Sequence, residues 1–196
     1  MLRFPLLLIA LLFVTACAAP PAKQYPPLRF TNKTPIHLDV ANIEVRNEYQ
    51  APQKAPNIEH VFPVTPAEAM SAWTNDRIKA VGAANRLLVT IKEASVVESK
   101  LPTTQGFKGL FTNDQAGKLE ANLVVDVRLY GSRNVSLAST EVRANRHATV
   151  PENISLSGRD DLHYSMTRAL MNDLNAELEK NMHQYFSQYI HYSYQP

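Results

Sequence analysis

Residues 118–130, KLEANLVVDVRLY, contain the most regular pattern in the chain. Apolar side chains occupy every second position, and charged or amide side chains fill several of the positions between them. Because successive side chains of a β-strand point to opposite faces, this alternation predicts a strand with one face in a core and the other in water. The apolar positions are Leu119, Ala121, Leu123, Val125, Val127 and Leu129.

The segments around this strand extend it into a sheet. Residues 131–134 are typical of a turn, and residues 135–148 predict a strand that returns to form a hairpin. Residues 86–98 predict a further strand towards the N-terminus. Residues 36–46 also alternate, but the phase shifts near Ala41, so we predict a first strand that contains a β-bulge there.

A first helix is predicted between the first two strands. Thr65 is a suitable N-cap, Pro66 suits the first helical position, and Glu68 completes a capping box. We expect this helix to run to about Val81, where Gly82 would end it.

A second helix of some 30 residues is predicted over 157–189. Its apolar stripe recurs every four residues, which predicts a face that packs on the sheet. The order β-α-β-β-β-α then predicts an α+β fold, a two-layer sandwich in which an antiparallel-rich four-stranded sheet carries two helices on one face and leaves the other face polar. The stripe consists of Leu162, Met166, Leu170, Leu174, Leu178 and Met182.

The N-terminus indicates export. Arg3 precedes an apolar run over residues 4–14, which is too short to cross a bilayer and is typical of a signal peptide. The run ends in Val14, Thr15, Ala16 and Cys17, which resembles the lipobox of bacterial lipoproteins. That resemblance implies cleavage before Cys17 and covalent attachment of diacylglycerol and an N-acyl chain to it, the only cofactor-like groups expected.

Four segments follow from this pattern. Residues 1–16 are predicted to be the signal peptide, 17–35 the lipidated cysteine and a Pro-rich tether, 36–190 a single domain, and 191–196 a flexible tail. By resemblance to enteric lipoproteins, in which Asp after the cysteine favours the inner membrane, Ala18 favours the periplasm-facing leaflet of the outer membrane. The inner membrane stays an alternative.

Composition and motifs exclude several classes of function. A formal net charge of +2 gives no basic excess for nucleic acid binding, and one cysteine cannot form a disulfide framework. The six histidines form no metal-binding spacing, and no nucleophile-elbow, P-loop or dinucleotide-binding motif occurs. The acidic pair Asp160 and Asp161 fits the first turn of a helix, where it complements the helix dipole. We therefore expect no metal and no enzymatic activity.

The long loop over residues 99–117 is one candidate contact surface. Its Phe107, Leu110 and Phe111 lie around two glycines, as a partner or membrane contact would require, although they could equally pack against the sheet end.

The tyrosine-rich C-terminus is a second candidate surface. Tyr189 and Tyr192 belong to a cluster that suits an interface, the alternative being that Tyr185 and Tyr189 pack the last helical turns while the tail frays.

Basic residues on the predicted hairpin are a third candidate. They would bind phosphate head groups if they shared the open face, or else form an ordinary solvated surface. The residues are Arg128, Arg133, Arg143 and Arg146.

The element order behind a lipobox and a Pro-rich tether resembles small proteobacterial envelope lipoproteins. These include the auxiliary lipoproteins of ABC-type lipid transport and the lipoprotein partner of the lipopolysaccharide-assembly barrel. Residues 36–45, 55–73 and 86–91 also resemble an alphaproteobacterial lipoprotein type without assigned activity. The resemblance implies a membrane-anchored accessory protein that binds a protein or lipid partner in envelope assembly or lipid transport. The alternative is a lipid- or glycan-binding module with a groove between the first helix and the sheet.

Overall fold

The computed structural model describes residues 23–101 and 115–192. The main sheet has four strands in the order β2 (Asn42–Asn47), β4 (Arg86–Lys100), β5 (Gln115–Tyr130) and β6 (Ser136–Pro151). β2 pairs with β4 in parallel, and the other two pairings are antiparallel. With helices α1 (Pro66–Arg77) and α2 (Leu156–Tyr185), this sheet confirms the predicted two-layer α+β fold.

The alternation along β5 places its apolar residues in the core as predicted. All six of those listed for the strand are at most 2 % exposed. Leu87, Val89 and Ile91 of β4 share the same core, and a register shift between Ile91 and Glu93 marks a β-bulge there. After the bulge, Ala94 again faces the core, so the alternation of core-facing and outward-facing side chains continues along β4.

The first strand and its bulge are predicted incorrectly. Residues 36–46 form two strands in two different sheets, because β1 (Ile36–Leu38) pairs in parallel with β3 (Ile78–Ala80) while β2 joins the main sheet. The chain turns aside between them, where the Ala41 amide donates to the carbonyl of Ala84 at 2.7 Å. The phase shift near Ala41 therefore marks a change of sheet.

Helix α1 begins as predicted but ends earlier. Thr65 and Glu68 form the capping box, with the Glu68 amide donating to the Thr65 hydroxyl at 3.2 Å. The helix ends at Arg77 because Ile78 takes an extended conformation and pairs with β1. Gly82 does not end the helix: it lies against the backbone of residues 39–40, where a Cβ atom would meet backbone atoms at 2.7 Å.

Helix α2 is capped by Ser155 and ends at Tyr185, four residues before the predicted end. Its apolar stripe faces the sheet, since Leu170, Leu174 and Leu178 are fully buried. Phe186 is fully buried beyond the last turn, whereas Tyr185 is exposed. A 3-10 turn over Ser187–Tyr189 then returns the chain to β1, where the Asp39 amide donates to the Tyr189 carbonyl at 2.8 Å.

Candidate functional site

Several sequence-predicted site residues lie outside the described ranges. Cys17, the predicted lipidation site, is one of them, and Phe107, Leu110 and Phe111 of the long loop are the others. Their roles stay predictions. Of the predicted contact residues, Tyr189 and Tyr192 are described, and both lie close to the C-terminal end of α2.

Residues 23–35, for which the sequence predicts a free tether, instead contact the domain. Leu28 and Phe30 are each 7 % exposed and belong to the hydrophobic core. The Asp76 carboxylate of α1 accepts two hydrogen bonds from the Arg29 guanidinium, at 2.9 and 2.6 Å, and one from the Phe30 amide at 2.8 Å. The hydrogen bonds from Arg29, above all, hold the pKa of Asp76 below its usual range. We call residues 23–30 the docked segment.

The start of the docked segment lies against the first turns of α2. Lys23 forms an ion pair with Asp161, and the Tyr25 hydroxyl donates to the same carboxylate at 2.8 Å. The Tyr25 ring lies 5.2 Å from that of Tyr164. Loss of solvent and the bond to Asp161 raise the pKa of Tyr25 to about 12, so the phenol keeps its proton. The chain therefore approaches the domain beside the N-terminus of α2.

A small apolar cavity lies between the docked segment and α1. It has a volume of about 230 Å³ and is lined by Tyr25, Pro27 and Leu28 on one side and by residues 63–72 on the other. Helix α1 also packs into the core, where Met70 and Trp73 are at most 1 % exposed. The cavity is smaller than the roughly 300–1,000 Å³ typical of small-molecule sites, and it does not lie where the predicted groove would.

A second depression, the C-terminal cleft, lies at the other end of α2. Residues 34–37, Glu179, His183 and residues 190–192 line it, and its volume is about 170 Å³. Tyr192 is 66 % exposed, and its ring lies 5.9 Å from the ring of His183. Tyr189 is half-buried and packs against the core. Of the two predicted tyrosines, Tyr192 is the one that a partner can reach.

A buried cation pairs with Glu179, one of the residues that line this cleft. Arg77 is 1 % exposed, and its Nη2 lies 3.2 Å from a carboxylate oxygen of Glu179, whose side chain is 42 % exposed. Nε and Nη2 of Arg77 have no hydrogen-bond acceptor, so attraction to the Glu179 carboxylate offsets the cost of burying this charge. Asn175 connects the pair to the core, since it accepts from the Trp73 indole at 2.9 Å and donates to Glu179 at 3.4 Å. No sequence motif signals this cluster.

The open face of the sheet carries a network of ion pairs. Lys92 donates to Glu141 at 2.9 Å and lies 3.7 Å from Asp126, while Arg128 contacts Asp126 at 2.7 Å and Arg143 contacts Glu141 at 2.6 Å. Hydrogen bonds from Lys92 and Arg143 hold the pKa of Glu141 below its usual range. Because Arg128 and Arg143 are already paired with acids, the structure favours the interpretation of a solvated face.

The other two basic candidates do not join this face. Arg133 is exposed in the turn between β5 and β6. Arg146 faces the helices and forms an ion pair with Asp173 of α2. The four arginines therefore do not form one phosphate-binding cluster.

Two buried ionisable groups have structural roles that the sequence does not indicate. Glu59 is 3 % exposed and accepts a hydrogen bond from the Val96 amide at 3.0 Å. This amide lies on the part of β4 beyond its pairing with β2, so Glu59 supplies the acceptor that a neighbouring strand would otherwise provide. His163 is 1 % exposed and stacks on Phe62 with ring centroids 4.1 Å apart. Neither of its ring nitrogens has a hydrogen-bond partner, and burial lowers its pKa, so it is neutral.

Within residues 23–101 and 115–192, no group of three or more histidine, cysteine, aspartate or glutamate side chains is placed to hold a metal ion. In the same part of the chain, no helix has both the length and the apolar character needed to cross a membrane.

Comparison with known proteins gives only distant structural similarity. No protein-family profile matches the chain, and a search of curated proteins finds no match. A minor lipoprotein from Acinetobacter baumannii is similar at 8 % identity and a TM-score of 0.40, over 81 % of this chain and 99 % of that one. A protein from Xanthomonas campestris is similar at 9 % identity and a TM-score of 0.31, over 80 % and 97 % of the two chains. At these TM-scores, we base no argument on the similarity.

Proposed function

We propose that the chain is a bacterial envelope lipoprotein, exported, cut before Cys17 and held at a membrane by acyl chains on that cysteine. The pattern of residues 3–17 carries this proposal, because an apolar run, small residues and the chain's single cysteine occur in the order that lipidation requires. More than one acyl chain is needed for stable anchoring, which the expected diacylglycerol and N-acyl groups would supply. Ala18 favours the outer membrane.

Acylation can be tested directly in a Gram-negative host. Wild-type chain should incorporate labelled palmitate and sediment with membranes, whereas Cys17→Ser should do neither. Ala19→Ser, which lies outside the lipobox, is the matched control and should behave as wild type. A Cys17→Ser variant that still carries palmitate would contradict the proposal.

We further propose that the anchored domain is a non-enzymatic accessory protein that binds a protein partner in envelope assembly or lipid transport through the C-terminal cleft. The cleft has about 170 Å³, less than small-molecule sites usually need, and carries an exposed tyrosine. Tyrosine is enriched at protein interfaces because its apolar ring carries a hydroxyl that can hydrogen-bond. Both features suit a contact with a protein side chain.

Site-specific crosslinking in native membranes tests this surface. A photoreactive amino acid at Tyr192 should give one discrete protein adduct, and the same group at Ser132, an exposed turn residue, should not. A third placement at Phe111 tests the long loop predicted from the sequence. Adducts at Phe111 and none at Tyr192 would move the partner surface from the cleft to the loop.

The alternative of a lipid- or glycan-binding module receives no support from the described residues. The space between α1 and the sheet is filled by core side chains, and the nearby cavity of about 230 Å³ is small for an acyl chain or a sugar. Native mass spectrometry of protein without its acyl chains should therefore show the mass of the chain alone. A retained lipid would restore this alternative.

A further inference from the structure

We propose that the end of the domain formed by the N-terminus of α2 faces the bilayer, and that Leu156 contacts the lipid surface there. The inference rests on the proposed lipid anchor at Cys17 and adds an orientation to it. It follows from where the anchored chain meets the domain, from how short the intervening chain is, and from one apolar side chain that the fold does not use.

The docked segment fixes the point at which the anchored chain reaches the domain. Lys23 pairs with Asp161, and the Tyr25 hydroxyl approaches both that carboxylate, at 2.8 Å, and the carbonyl of Ser157, at 3.3 Å. These contacts are all with the first two turns of α2. Farther along the segment, Phe30 is buried in the core and fixes the position of the segment on the domain.

The length of chain between anchor and domain is small. Six residue steps separate Cys17 from Lys23. Because an extended chain spans at most about 3.3–3.6 Å per residue, the anchor lies within roughly 20 Å of the N-terminal end of α2. The helix itself is about 45 Å long, from 30 residues at about 1.5 Å each. The cleft residues Glu179 and His183 lie about 35–40 Å from this end of the helix, which is well beyond the reach of the tether.

Leu156 is the apolar group at this end. It is the first residue of α2 and is 86 % exposed, more than any other large hydrophobic residue in the described ranges. Its neighbouring cations are neutralised, since Lys23 pairs with Asp161 and Arg159 pairs with Glu98 at 2.9 Å. Removal of apolar surface from water is favourable, so a bilayer held this close is the occupant that suits Leu156 best.

The consequence is a molecule oriented on its membrane. The N-terminal end of α2 would rest at the lipid surface, and the C-terminal cleft with Tyr192 would face away from it. A partner that approaches from the periplasm would then meet the cleft first.

The orientation can be measured by fluorescence quenching on full-length, acylated protein in phosphatidylcholine vesicles. Since the chain's single cysteine is acylated, one introduced cysteine accepts a thiol-reactive dye. Two variants are labelled and compared. Asn153→Cys carries the dye three residues before Leu156, and Ser132→Cys carries it at the far end of the β5–β6 hairpin; both positions are exposed. A lipid with a quencher on its head group should quench the Asn153 position several-fold more strongly. Equal quenching, or stronger quenching at Ser132, overturns the orientation.

A second variant isolates the apolar contact. Leu156→Ser in the Asn153→Cys background should reduce quenching while the protein still floats with the vesicles. High ionic strength should leave the wild-type quenching unchanged, because the contact is apolar. Unchanged quenching in Leu156→Ser overturns the role of Leu156, and a protein adduct at this position in native membranes would assign the surface to a partner. Failure to float, or an unacylated Cys17 by mass, instead overturns the proposed anchor.

Discussion

Replacement of Asp76 by Ala should release the docked segment while the rest of the domain stays folded. The Asp76 side chain is 4 % exposed and accepts three hydrogen bonds from Arg29 and Phe30. A buried amide left without an acceptor costs about 1–3 kcal/mol. The Arg29 side chain is 61 % exposed, so solvent screens its ion pair with Asp76 and the Phe30 amide accounts for most of the loss. We expect a loss of about 1–3 kcal/mol in docking free energy.

This loss has a measurable kinetic consequence. Each 1.4 kcal/mol is about tenfold in an equilibrium constant, so the population of the undocked segment should rise roughly 5- to 150-fold. When opening and closing are faster than cleavage, proteolysis follows that population. Trypsin should therefore cleave after Arg29 that much faster in Asp76→Ala, as followed by mass spectrometry. Asp173→Ala, which removes an exposed carboxylate from α2, should leave this rate unchanged.

Two results would refute the reasoning. Cleavage after Arg29 at the wild-type rate would mean that Asp76 does not hold the segment. Alternatively, Asp76→Ala could lower the free energy of unfolding of the whole domain, measured in urea, by the same amount as the docking free energy. That result would mean that residues 23–30 cannot undock independently of the core.

Three further predictions concern buried residues and their contacts. Gly82→Ala should cost about 3 kcal/mol in urea unfolding, because its Cβ would collide with the Asp39 carboxylate and meet backbone atoms at 2.7 Å, whereas Gly158→Ala should cost far less. His163→Phe should stabilise the fold at pH 7 by about 1 kcal/mol, since two buried nitrogens without partners disappear. Burial lowers the pKa of His163, so wild-type stability should fall as pH drops below about 6.5, by at most about 1.4 kcal/mol per pH unit; an equal slope in the variant would contradict this. Glu179→Gln should cost about 2 kcal/mol, because it leaves the buried charge of Arg77 unpaired, while Arg77→Met should be nearly neutral. If Arg77→Met instead lowered the urea midpoint more than Glu179→Gln does, the ion pair would not be what makes the buried charge tolerable.

Local periodicity explains why the main sheet and α2 could be predicted. The alternation along residues 118–130 and the four-residue spacing along α2 each specify one buried face without reference to any other part of the chain. The capping box at Thr65 is equally local, because its hydrogen bonds join residues three positions apart. Element type and buried face were therefore available from the sequence.

Features that depend on distant partners were not available in this way. Arg77 ends α1 because the next three residues pair with β1, some 40 residues earlier in the chain. Leu28 and Phe30 show no helical or strand period and stand among prolines, so their composition indicates a tether. The Phe30 amide instead finds its acceptor in Asp76, 46 positions later in the sequence.

The sequence by itself determined the pattern that resembles a lipobox, the order of the long elements and the face that each of them buries, because these depend on residues a few positions apart. Only the tertiary structure decided where the Pro-rich segment joins the domain, which end of α2 lies beside it, and that a buried arginine pairs with a residue of the cleft at the other end. Those features arise when side chains from distant segments exclude water together, and a pattern within one segment contains no information about its partners in space.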